Sequence, residues 1–218
     1  MADAAGNDIV IGPITEADAL IVIDPQVDFC PGGRLAVVDG DTIMAGIAAL
    51  APRFAHVVVT QDWHPAGHAS FASTHGKAPF ETVELSYGTQ VLWPDHCVQG
   101  TTGAEFHPGL AIPHARAVIR KGLNPAVDSY SGFREADRVS PTGMAGFLGD
   151  LGVTRVFLCG LATDFCVAWT AYDARDAGLE VVVLEDACRG IDLDGSLARA
   201  QAEMDARGIV RITMRDLG

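Results

Sequence analysis

Positive charge is scarce in this chain. Its 218 residues carry 15 lysines and arginines against 28 aspartates and glutamates, a net charge of −13, and the lysines are only Lys77 and Lys121. A nucleic-acid binder displaces counterions with a basic surface, so this balance argues against nucleic acid as a partner. Cysteines are few as well: Cys30, Cys97, Cys159, Cys166 and Cys188, an odd count with no Cys-x-x-Cys pair. That pattern favours free thiols over a disulfide framework or a thiolate zinc site. Although 49% of the residues are hydrophobic, no run reaches the roughly 18–20 apolar residues that cross a bilayer, so no membrane association is expected. Met1–Asn7 holds no basic residue and no apolar stretch of the secretory kind, and the expected compartment is the cytoplasm. Internal repeats and low-complexity linkers are also missing. The chain therefore reads as one domain, residues 1–218, with 1–18 as a candidate flexible extension.

What is present is an alternation of two patterns. Short apolar, β-branched runs occur at Ala19–Ile23, His56–Thr60, Ala117–Arg120, Arg155–Cys159, Val181–Leu184 and Ile209–Thr213. Runs of this kind suit strands buried on both faces of a parallel sheet. Helical patterns at Thr42–Leu50, Thr142–Leu151, Asp164–Ala177 and Ser196–Arg207 lie between several of them. The alternation predicts an α/β fold, a doubly wound parallel sheet of about six strands with helices on both faces. The stretch from Trp63 to Pro113 is long, irregular and rich in His, Gly and Pro, and a loop that long in a compact domain is usually functional.

Ligands of open α/β sheets bind beyond the carboxyl ends of the strands, so the residues just after each strand carry the chemical candidates. Cys166 follows the run Arg155–Cys159 and falls at the start of a helical pattern, with Thr163 or Asp164 as N-cap. A helix N-terminus favours a thiolate and offers N–H groups to an oxyanion. The plain alternative is a buried structural thiol, as read for Cys159. Asp24 ends the first run, where a carboxylate against apolar chain needs a partner or a role; it is a candidate base, or else a turn residue before Pro25. Lys121 follows Ala117–Arg120 and could hold a carboxylate ionised, or could be a solvated surface lysine. Asp62 and His64, two apart after His56–Thr60, point the same way in extended chain. With His96, and His68 as a further candidate, they form an O/N ligand set that suits one divalent ion, Zn²⁺, Fe²⁺ or Mn²⁺. Phe29, Trp63, Phe71 and Trp93 could wall an aromatic pocket or be plain core.

Together these clusters resemble the nicotinamidase (pyrazinamidase) branch of the isochorismatase-like cysteine hydrolases. The resemblance covers about Ala19 to Ile191 and rests on IDPQVDFCPGGRLAV from Ile23, TQDWHPAGHASFAS from Thr60, WPDHCVQGTTGAEFHP from Trp93, KGLNPAVDSYSGF from Lys121 and GLATDFCV from Gly160. It implies a doubly wound sheet and an Asp–Lys–Cys triad at Asp24, Lys121 and Cys166. It implies metal ligands at Asp62, His64 and His96, with His68 differing among members. It implies a cis peptide between Leu161 and Ala162, an oxyanion hole of the Ala162 and Cys166 N–H groups, and a substrate ring held by Phe29, Trp93 and Tyr130. The activity implied is hydrolysis of nicotinamide, and of pyrazinamide, to the acid and ammonia, with a place in NAD salvage. Three rivals stand beside it: a relative acting on another amide, a ureido or an isochorismate-like substrate, which would lack the Asp-x-His…His set; a non-catalytic metal-binding module; and a redox sensor, for which no resolving cysteine is evident. The sequence leaves open whether copies of the chain associate.

Overall fold

The computed structural model describes residues 11–217. Six strands form one parallel sheet: β1 (Asp18–Ile23), β2 (His56–Asp62), β5 (Ala117–Lys121), β6 (Arg155–Leu161), β7 (Glu180–Arg189) and β8 (Val210–Ile212). Their spatial order is β5-β2-β1-β6-β7-β8. The helices α1 (Met44–Leu50), α2 (Met144–Asp150), α3 (Ala168–Asp176) and α4 (Ser196–Ala206) connect and flank the strands. This is the doubly wound α/β fold expected from the alternation of patterns.

Every residue of β1 and β2 is buried, as are all but the first of β6. A strand covered on both faces has no solvent side for polar residues, which is why Ala19–Ile23, Val57–Val59 and Val156–Cys159 read as unbroken apolar runs. Each fully buried Ile, Leu or Val contributes roughly 1.5–3 kcal/mol. The edge strand β5 alternates between half-buried and exposed residues up to Lys121, which is buried.

The chain winds outward from β1 in both directions, through β2 and β5 on one side and β6, β7 and β8 on the other. The winding reverses between β1 and β6, and a crevice opens at such a point. The ends of these two strands approach closely. Gly160, at φ +119°, lies where a Cβ would come 2.1 Å from the Ile23 carbonyl oxygen, so only glycine fits.

One detail differs from expectation. The irregular stretch after β2 contains an antiparallel hairpin, β3 (Thr82–Leu85) and β4 (Gly88–Val91). Its strands are short and largely exposed, so no apolar pattern marks them. Of the first eighteen residues, 1–10 lie outside those described. Ile11 and Ile14 pack against the core, and the Pro13 carbonyl accepts a hydrogen bond from Arg155 at 2.9 Å.

Candidate active site

Four neighbouring strands each deliver one side chain to the crevice: Lys121 ends β5, Asp62 ends β2, Asp24 follows β1 and Cys166 follows β6. Register explains part of this convergence, since Asp62 pairs directly with Lys121 across the ladder. All four are buried. Lys121 is fully so, which rules out the solvated surface lysine. Its ammonium lies 2.9 Å from Asp24 Oδ2, donates to the Ser129 carbonyl at 3.1 Å, sits 3.5 Å from Cys166 Sγ and pairs with Asp62 Oδ1. Asp24, Asp62 and Cys166 bring one ligand atom each within 4.8 Å of one another.

Asp24 has a left-handed backbone, φ 44°, and Thr60 secures it twice. The Asp24 N–H donates to Thr60 Oγ1 at 3.0 Å, and that hydroxyl donates to Asp24 Oδ1 at 2.6 Å. Asp24 Oδ2 has the Lys121 charge beside it but no aligned hydrogen bond. Burial pushes the Asp24 carboxyl up further than Lys121 pulls it down, and Asp62 adds to the rise. Burial also acts on Asp62, but Lys121 and His64 outweigh it and hold that carboxyl well below the usual range. Burial opposes the charge on Lys121, yet Asp24 and Asp62 overcome it and keep the ammonium protonated.

Cys166 does not sit on a regular helical turn. Thr163–Val167 forms a wide π-helical turn ahead of α3, closed by the Val167 N–H on the Ala162 carbonyl at 3.1 Å. The thiolate expected of a helix N-terminus is not its resting form. Burial drives the thiol well above its ordinary value, further than Lys121 lowers it, and Asp24 and Asp62 add to the rise. The peptide joining Leu161 and Ala162 is cis.

A second convergence shares Asp62. The Nε2 atoms of His64 and His96 lie 3.6 and 3.8 Å from Asp62 Oδ2. The other ring nitrogens are engaged: His64 Nδ1 with the Gly122 carbonyl at 3.1 Å, His96 Nδ1 with the Pro94 carbonyl at 2.8 Å. Both partners are acceptors, so each Nδ1 carries a proton and each Nε2 points at Asp62; burial lowers the His64 pKa, but Asp62 outweighs it and raises it above the ordinary value. A backbone carbonyl that fixes the far ring nitrogen in this way is typical of metal-binding histidines. Burial and His64 push His96 down to about 4, so it stays neutral, as a ligand must. The buried, convergent carboxylate and two imidazoles fit Zn²⁺, Fe²⁺ or Mn²⁺. Gly122 holds this geometry tightly: a Cβ there would come 2.3 Å from His64 Cε1.

His68 is placed differently. Its Nε2 faces the Asn124 and Val127 carbonyls at 2.9 and 3.1 Å, and its Nδ1 accepts the Ser70 N–H at 3.3 Å. Both nitrogens are thus spent on the protein. His68 also groups with His64 and Asp128, where the Asp128 oxygens accept from Gln90 and Ser129.

A narrow cleft, open to solvent, joins the two convergences. Phe29, Trp93, Tyr130, Ala162 and Cys166 line it, with Asp62 and His96 at its floor. Trp93 Nε1 donates to the Tyr130 hydroxyl at 3.0 Å. All the residues singled out from the sequence for the triad, the oxyanion and the ring are therefore brought together. Trp63 and Phe71 do not line this cleft; Phe71 is core and stacks edge-on with His64.

Sequence reading missed Leu35, Phe165, Ile191 and Asp128 in the lining. Ile191 lies two residues past β7, where the strand-end rule would have found it. Gln26 was also missed. Its side chain grips the Asp62 backbone at both N–H and carbonyl, each at 2.8 Å, and a glutamine in that run carries no sequence signal for the role.

Known proteins share this fold and sequence. Residues 18–216 match the isochorismatase domain. A nicotinamidase of Acinetobacter baylyi is 55% identical over 200 residues, 91% of this chain and 94% of that protein. The solved nicotinamidase/pyrazinamidase of Acinetobacter baumanii superposes with a TM-score of 0.92 at 56% identity, over 94% of this chain and 99% of that one. A pyrazinamidase of Pyrococcus horikoshii, solved in complex with zinc, gives 0.75 at 38% identity over 91% of this chain and 99% of that one. With this match running almost end to end, the chain belongs to the isochorismatase family, in the branch that holds the nicotinamidases.

Proposed function

We propose that this chain hydrolyses nicotinamide, and pyrazinamide as a close analogue, to the acid and ammonia through a thioester on Cys166. The observation that carries the reading is the buried Asp24–Lys121–Cys166 cluster opening onto an aromatic-walled cleft. A cysteine beside a positioned base and a fixed cation is the arrangement nucleophilic catalysis needs.

The steps follow from the protonation states. The resting thiol holds its proton, and the Asp24 carboxylate, raised by burial, accepts it as sulfur attacks the amide carbon. Lys121 stays charged and balances the negative charge passing between them. Sulfur bonds to the carbonyl carbon while the C=O electrons move to oxygen, where the N–H groups of Ala162 and Cys166 receive them; one such donor is typically worth about 3–4 kcal/mol. Asp24 returns the proton to nitrogen, the C–N bond breaks and ammonia leaves. Water, deprotonated by Asp24, then attacks the thioester, the C–S bond breaks, Asp24 returns the proton to sulfur and the acid departs.

Phe29, Trp93 and Tyr130 hold the ring. Asp62, His64 and His96 would hold a divalent ion, and His68 ties the segment after β2 to the Asn124 and Val127 carbonyls. When bound, that ion supplies a Lewis-acidic contact for the ring nitrogen or its water. The floor of the cleft is acidic, with Asp62 and Asp128, which suits a neutral amide and not an isochorismate-like dianion. The compartment proposed is the cytoplasm, where a chain whose five cysteines are all free is at home. The test is Cys166→Ala, which should abolish ammonia release while leaving the fold intact. A variant that keeps more than a trace of activity would sink the scheme.

A further inference from the structure

Asp164 lies two residues before Cys166, yet its side chain does not cap that turn. It reaches across to the loop after β7. Asp164 Oδ1 accepts the Ile191 N–H at 3.0 Å, Oδ2 accepts the Asp192 N–H at 2.7 Å, and the Ser196 hydroxyl donates to Oδ2 as well. The residue is buried, and among the described residues no cation pairs with its carboxylate. A buried carboxylate of this kind is tolerated only when its lone pairs are used, and charge-assisted bonds to N–H and O–H groups use them.

The loop it grips needs a grip. Asp192, Asp194 and Gly195 all have left-handed backbones, at φ 56°, 50° and 79°. Such conformations at non-glycine residues persist where their surroundings impose them. Contact is close at Gly190 too, where a Cβ would come 3.2 Å from Asp164 Oδ1. The loop brings Ile191 into the cleft, facing Phe165 and Cys166 from the turn that carries Asp164. One carboxylate thus ties the nucleophile's turn to a separate apolar wall.

We infer that Asp164 is a positioning residue that sets the Ile191 wall, and through it how closely the cleft fits the substrate ring. The inference rests on the amidase reading for its substrate. Asp164→Asn keeps the shape but turns an amino group toward an N–H or O–H donor, which breaks one side of the clamp. The readouts are kcat and KM for nicotinamide, and the dissociation constant of nicotinate by calorimetry, which needs no turnover. Expected for D164N is a KM and a nicotinate dissociation constant raised about tenfold, with kcat changed less than about threefold. In an Ile191→Ala background the same substitution should add less than about twofold, because residues that act as one unit are not additive. Ser196→Ala, which removes one donor remote from Cys166, should repeat the pattern more weakly and serves if D164N does not fold. Equal factors in both backgrounds, a fall in kcat at constant KM, or a lower melting temperature with binding unchanged would each overturn the inference. Protein that binds nicotinate and shows this coupling but releases no ammonia would overturn the amidase reading instead.

Discussion

Strand β1 carries a buried aspartate at each end, Asp18 at its start and Asp24 just past its finish. Asp18 has a cation of its own. Arg155 reaches it with two nitrogens, at 2.6 and 2.8 Å, and the Thr15 N–H and hydroxyl complete its shell at 2.6 and 3.0 Å. Burial raises the Asp18 carboxyl, but these bonds outweigh it and hold the pKa below the ordinary value. Asp24 shares Lys121 with a second carboxylate and a thiol, has a left-handed backbone, and ends with its pKa raised. A satisfied ion pair stabilises one protonation state. A carboxylate that competes for its cation, with its pKa raised, is placed to take up a proton and give it back during a reaction. The amino end of the sheet is therefore read as stability and the carboxyl end as chemistry, although both hold buried charge.

Substitutions at the two ends should separate these roles. The largest effect is expected for Cys166→Ala, with ammonia release reduced more than about a thousandfold and the melting temperature close to wild type. Next comes Lys121→Met, which leaves Asp24 and Asp62 buried without their cation. A loss of about 3–5 kcal/mol is expected in denaturant titrations, together with loss of activity; a fully stable variant would mean the cation is dispensable. Gly122→Ala forces His64 aside and should weaken metal binding about 10–100-fold, read as metal retained per chain after dialysis against a chelator.

The smallest effect is at the other end. Asp18→Asn should cost about 1–2 kcal/mol and leave kcat/KM unchanged. Its pH dependence has a definite sign. The folded-state pKa lies below the unfolded value of about 3.9, so the stabilisation is complete above that value and is lost as pH falls through the folded one. Acid unfolding below about pH 4 should accordingly be shallower in D18N than in wild type; identical acid limbs would show that the pair does not act this way.

Much of this was legible in the sequence, for physical reasons that differ by residue. Strands buried on both faces are mostly apolar, so the centres of β1, β2 and β6 announced themselves. Polar residues directly after them stood out against that background, which is how Asp24, Asp62, Lys121 and Cys166 were found. Their linkage through Asp62, one oxygen toward Lys121 and the other toward the histidines, was not legible, because spacing along the chain does not say which oxygen faces what. Local helix geometry pointed to a thiolate at Cys166, but burial, which the local sequence does not show, raises the thiol, and Asp24 and Asp62 from neighbouring strands add to the rise. Asp164 read as an N-cap because its partners lie about 30 residues downstream. The orientation of His64 and His96 toward Asp62, and of His68 away from it, depends on backbone carbonyls that no side-chain pattern reveals.

Ammonia release from nicotinamide, followed for fully metallated protein, after chelation and after metal is restored, bears on the whole scheme at once. Release with equimolar nicotinate, lost on chelation and regained on add-back, is the expected result. No release from fully metallated protein would contradict it, and would leave the Asp24–Lys121–Cys166 cluster in search of a different amide.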